Sequence, residues 1–117
     1  LATALQRAIA RLVELGRQHG RGEPSYLNLA MTDGEHAVAC RFTTAADEDG
    51  ESLFCHTGRA YVCEDGVCKM LSPVRGHGSV LVSSEPLSED PGWQPVPRNA
   101  MVRIDRGGAT AVVPLLR

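Results

Sequence analysis

Apolar residues recur at helical spacing from the start of the chain: Leu5, Ile9, Leu12 and Val13, with Leu1 and Ala8 extending the stripe. Gln6, Arg7, Arg11 and Glu14 lie mostly off it. Thr3-Ala4-Leu5-Gln6 matches the capping-box pattern, in which a hydroxyl accepts an early amide and the residue three further on reaches back. Gly16 or Gly20 ends the helix, because His19-Gly20-Arg21-Gly22 continues it poorly. A helix with one apolar face needs a second layer, and a sheet supplies it.

The pattern then switches from helical to alternating. Residues 27–31 and 36–40 alternate around Asp33-Gly34, a strong signal for a tight hairpin whose two turn residues take positive φ. With Asp33 and Gly34 as that turn, Leu27, Leu29, Met31, His36, Val38 and Cys40 share one face. Asn28, Ala30, Ala37, Ala39 and Arg41 share the other, with Asn28 and Arg41 diagonal to each other. The first face is bulky and apolar. The second is small enough for another layer to come close, and its amide and guanidinium need partners there.

Strand-like runs continue at 52–56, at 61–63 and 68–71 around a second Asp-Gly (Asp65-Gly66), and at 79–84. An acidic connection covers 45–51, a loop covers 73–78, and a proline-rich irregular loop covers 88–99 around the only tryptophan, Trp93. A last hairpin, 101–104 with 110–113, turns over Asp105-Arg106-Gly107-Gly108. One long N-terminal helix followed by mostly antiparallel strands predicts an α+β fold, with residues 1–117 as a single domain.

Composition narrows the function classes. The chain is 43% apolar and 22% charged with a net charge of −2, so it is of the globular class and offers no basic platform for nucleic acid or anionic lipid. No apolar run approaches the roughly 20 residues that span a bilayer, and Arg7 and Arg11 interrupt any signal-peptide pattern. The expectation is a cytoplasmic protein with neither nucleic acid nor membrane as partner. A start at Leu1, almost immediately inside a helix, reads as a portion of a longer chain.

Four cysteines carry the first candidate chemistry. Around a two-residue Asp65-Gly66 turn, Cys63 and Cys68 form a non-hydrogen-bonded pair whose Cβ atoms are close, so a disulfide is geometrically open. A cytoplasmic setting favours free thiols, which is the expectation. The spacing Cys55-His56-x6-Cys63-x4-Cys68 is poor for structural zinc, so no metal is expected. Gly76-His77-Gly78 lacks the later glycine and following helix of a phosphate loop, and no cofactor is expected. His19, His36 and His77 lie near no spaced nucleophile and acid, and read as surface groups. Ser83-Ser84-Glu85-Pro86-Leu87 places two hydroxyls and a carboxylate at a strand end, with Pro86 holding Glu85 extended. The plainer alternative there is a strand terminator whose Glu85 caps backbone amides. Trp93 anchors its loop by burying its ring.

Taken in order, the amphipathic helix, Leu27-Asn28-Leu29-Ala30-Met31-Thr32-Asp33-Gly34, Ser84-Glu85-Pro86-Leu87 and Gly92-Trp93-Gln94-Pro95-Val96-Pro97 resemble the C-terminal half of the class II glutamine amidotransferases. The resemblance is to the branch containing the ergothioneine-pathway amidohydrolase and the yeast glutathione-degrading amidotransferase subunit. It covers nearly the whole chain.

The resemblance implies an αββα N-terminal-nucleophile hydrolase sandwich, in which two antiparallel sheets lie between helical layers. It also implies an enzyme that cleaves a γ-glutamyl amide. There a mature N-terminal Cys attacks the amide with its own α-amine as base, and an Asn-Gly pair forms the oxyanion hole. This chain starts with Leu1 and has no Asn-Gly pair, so no catalytic residue is carried over. The partners expected are the γ-glutamyl substrate and the N-terminal half of the fold. Asn28, Arg41, Ser84 and Glu85 are the expected pocket-supporting residues. The alternative class is a non-catalytic α+β binding or assembly module.

Overall fold

The apolar stripe at the start folds as helix α1, Ala2–His19, which buries Leu5 and Ile9. In the computed structural model, which describes residues 1–58, 61–70 and 78–115, Leu1 is the N-cap and no side chain caps the helix. The capping-box expectation at Thr3 is thereby corrected: Leu1 O already accepts from Leu5 N at 2.9 Å, so Thr3 lies within the first turn. Gly20 ends the helix with an extended backbone, donating its N–H to Gly16 O. A Cβ at Gly20 would collide with that carbonyl, so crowding selects glycine here.

Strands β1, Tyr26–Thr32, and β2, Ala37–Thr43, form the first hairpin. The register differs from the expected one. Leu27 faces Phe42, Leu29 faces Cys40 and Met31 faces Val38, across a four-residue connection from Asp33 to His36. Asp33 Oδ1 accepts from the amides of Glu35 (2.9 Å) and His36 (2.7 Å), and Asp33 N donates to His36 O. Gly34 alone takes positive φ in this turn, so it is not the expected two-residue turn and His36 lies outside the strands. The shift amounts to two residues in the pairing, which leaves each side chain within the strands on its expected face; a one-residue slip would have exchanged the faces.

The remaining strands are β3 (Phe54–Gly58), β4 (Tyr61–Glu64), β5 (Val67–Met70), β6 (Ser79–Ser83), β7 (Gln94–Pro95), β8 (Ala100–Ile104) and β9 (Thr110–Pro114). They form a four-stranded sheet in the order β1-β2-β8-β9, a three-stranded sheet β6-β3-β7, and the hairpin β4-β5, all antiparallel. The fold is α+β. Of the loop expected over 73–78, only Gly78 lies within the described residues. Strand β7 breaks the irregular loop expected at 88–99.

The four-stranded sheet is the middle layer. On one face, Val38, Cys40, Phe42 and Met101 pack with Leu5 and Ile9 of the helix and with Leu115. On the other, Ala39, Ala100 and Val102 pack with Leu53, Cys55 and Val96, and with Val80 and Val82 at the margin. The small sheet therefore stacks on the alanine side.

The expectation of free thiols at Cys63 and Cys68 is corrected, because the two form a disulfide. Asp65 (φ 51°) and Gly66 (φ 79°) both take positive φ, so this Asp-Gly does make the two-residue turn. It sets Cys63 opposite Cys68 with a Cα–Cα distance of 4.0 Å. Cys40 and Cys55 are free and buried.

Candidate functional site

The alanine-side face carries the candidate polar residues, and the corrected register places Asn28 directly opposite Arg41. Both reach out of the sheet to backbone carbonyls. Asn28 Nδ2 donates to Glu51 O and Ser52 O, each at 3.1 Å. Arg41 donates from Nη1 to Val96 O at 2.8 Å and from Nη2 to Gly50 O at 3.4 Å. Its Nε is sealed from solvent without a hydrogen-bond partner among the described residues. A guanidinium suits this place because its planar fork meets two carbonyls on separate segments. Small neighbours, Ala30 and Ala39 in β1 and β2, leave room for those segments to approach.

Ser84 joins this network through its backbone. Ser52 Oγ donates to Ser84 O at 2.6 Å, linking the segment held by Asn28 to the end of β6. The structure thus connects Asn28, Arg41 and Ser84 through residues 50–52. Glu85 is not brought in: it is exposed and makes no hydrogen bond or ion pair among the described residues.

Two further clusters hold the same loops and were not foreseen. Asn99, in a left-handed conformation (φ 54°), accepts the Thr43 amide at 2.8 Å with Oδ1, while its own carbonyl accepts from Leu115 N. Arg98 donates to Glu48 O and Ala45 O. The readable signal was an Arg-Asn pair just after Pro97, where a turn must release the chain into β8.

The other cluster is buried. His56, on β3, is 6% exposed. Its Nδ1 lies 3.1 Å from Thr57 O, and its Nε2 is 3.2 Å from Asp90 Oδ2. The Nε2 contact is at ion-pair distance but off line for a hydrogen bond. Thr57 O can only accept, so Nδ1 is the donor in that contact. Trp93 stands edge-on to the imidazole with ring centroids 5.1 Å apart, and its Nε1 donates to Ser88 Oγ at 3.0 Å. Trp93 is 8% exposed and anchors its loop, in keeping with the sequence expectation. Gly92 is required by this packing, since a Cβ there would strike the His56 ring.

These groups position backbone and activate no nucleophile. Burial pushes both the Cys40 and the Cys55 thiols up from their ordinary values, so neither is a ready thiolate. Among the described residues, no group of three or more His, Cys, Asp or Glu side chains could hold a metal ion. No helix among them is long and apolar enough to cross a membrane. A cleft of about 450 Å³ lies at the far end of the large sheet, lined by Leu1, Asp33, His36, Arg103 and Asp105, away from the Asn28–Arg41 pair.

Comparison with known proteins finds a similarity to the probable glutamine amidotransferase DUG3 of Saccharomyces cerevisiae, 30% identical over 113 residues that take in 88% of this chain and 32% of the yeast protein. The chain therefore spans about a third of the length of the curated relative it matches. No family model matches the sequence.

Proposed function

We propose that this chain is the C-terminal portion of a class II glutamine amidotransferase-like amidohydrolase, acting in the cytoplasm on a γ-glutamyl amide. The similarity to the yeast protein over 88% of the chain carries this reading. In it, a Cys at the N-terminus of the longer protein attacks the amide carbonyl, the amine leaves, and water releases the glutamyl acid from the thioester. The helix and two stacked sheets form one side of an αββα sandwich of the N-terminal-nucleophile type. The branch proposed is the one that includes the ergothioneine-pathway amidohydrolase.

Asn28 and Arg41 support the pocket by fixing the backbone at 50–52 and Val96. Ser84 stands at the adjoining strand end, where its carbonyl accepts from Ser52 and ties that strand end to residues 50–52.

A panel of γ-glutamyl amides, with release of ammonia or amine as the readout, tests the reading. The full-length protein is expected to turn over at least one of them, and the 117-residue chain none. Turnover by this chain alone, or silence of the full-length protein across the panel, overturns it. Asn28→Ala in the full-length protein is expected to cost about 1 kcal/mol of stability, the worth of a typical hydrogen bond, while turnover persists.

A further inference from the structure

The Cys63–Cys68 bridge stands apart from both cores. Cys63 is exposed and Cys68 half-buried, and the turn residues between them, from Glu64 to Val67, are exposed as well. Neither sulfur belongs to the helix-side or the sheet-side cluster. The loop it closes has a sequence separation of 5 and turns at Asp65-Gly66, both at positive φ. A crosslink over so short a loop removes less freedom from the unfolded chain than one over a long loop. Solvent access at the same time exposes it to attack by an external thiolate.

We propose that Cys63–Cys68 is a thiol–disulfide exchange site, reduced and re-formed in the native protein by dithiols and disulfides. A donor thiolate attacks one sulfur, a mixed disulfide forms, and the other cysteine leaves as a thiolate. The donor's second thiol then displaces the remaining cysteine. Two electrons and two protons pass from the dithiol to Cys63 and Cys68, and the donor becomes a disulfide. The cross-strand register keeps the two thiols adjacent after reduction, so re-oxidation is intramolecular.

The other cysteines do not compete: Cys40 is 0% and Cys55 9% exposed, and burial holds both as thiols. Reduction leaves β4-β5 as a two-stranded hairpin, marginal on its own in water. Strand β5 lies alongside β3, the strand that carries His56, so loosening of the hairpin reaches the small sheet. This site is independent of the amidohydrolase reading.

The test equilibrates the native 117-residue chain in buffers of varied reduced-to-oxidised dithiothreitol, followed by acid quench, alkylation and peptide mapping by mass spectrometry. Cys63 and Cys68 are expected to convert together as a two-electron couple while Cys40 and Cys55 stay unlabelled. Amide exchange across 62–69 should rise about tenfold or more on reduction, with 39–41 unchanged. The Cys63→Ser/Cys68→Ser double variant should show the faster exchange at every buffer ratio. Reduction only in denaturant makes the bridge a locked structural crosslink and overturns the proposal. So do four free thiols in oxidising buffer, or exchange at 62–69 that ignores the buffer ratio.

Discussion

The two faces of the four-stranded sheet are built from alternate residues of the same strands, and they close in different ways. On the helix side, Leu5 and Ile9 come down on Cys40, Phe42 and Met101, and the layer is filled by large apolar side chains from both partners. On the other side, Ala39 and Ala100 contribute almost no bulk, and the opposing chain comes close instead. Closeness lets polar side chains act: Asn28 and Arg41 reach carbonyls of residues 50–52 and Val96 that a bulkier face would hold away. One face stores stability in side-chain volume, and the other turns the absence of volume into placed loops. The loops that the functional reading needs are on the second face.

The sharpest contrast comes from removing volume where volume matters. Met101 is 0% exposed and central to the helix side. Met101→Ala is expected to cost about 2–5 kcal/mol, through lost burial and the cavity left behind. Urea unfolding at equilibrium measures it. A cost below about 1 kcal/mol would mean that the helix closes onto the sheet to fill the gap, and the helix-side description would fail.

The converse change adds volume where its absence matters. Ala39 is 3% exposed, between β1 and β8 in the sheet and beneath Leu53, Cys55 and Val96. Ala39→Leu is expected to cost about 1–3 kcal/mol by overpacking. It should also separate the layers enough to release Arg41 from Val96 O, read as a shift of the Arg41 side-chain NMR signals. Tolerance of leucine without that shift would show that the alanine face is not the constraint.

Much of this contrast was readable beforehand. Alternation assigned the strand residues of 27–31 and 37–40 to faces correctly even though the register was off by two, because parity survives such a shift; His36 fell in the loop. The two Asp-Gly pairs show where local chemistry prevailed. At Asp65-Gly66 both residues accept positive φ and the tight turn forms. At Asp33-Gly34 the Asp33 carboxylate instead gathers the amides of Glu35 and His36 and opens a longer loop. The partners of Asn28 and Arg41 were not readable, since they are carbonyls in segments with no periodicity. The same holds for His56 and Asp90, which are far apart in sequence and meet only after β3 pairs and the Trp93 loop folds over it. Of the four candidate residues, Glu85 shows how little a suggestive tripeptide says about where a carboxylate ends up.

The smallest expected effect compares the two faces by titration. Cys40 lies on the helix side and Cys55 on the alanine side, and burial raises both thiols; at Cys40 a backbone hydrogen bond at Leu29 partly opposes the rise. A thiol that holds its proton more tightly when folded contributes stability that is fully present below its unfolded value, near about pH 8.5, and is lost as the pH rises beyond it. Thermal stability should therefore decline from about pH 8 upward. Cys63 and Cys68 add nothing while bridged. Cys40→Ala and Cys55→Ala should each flatten part of that decline when melting is followed across this range. If only one of them does so, water reaches the other face, and the two sides of the sheet differ in dryness as well as in bulk.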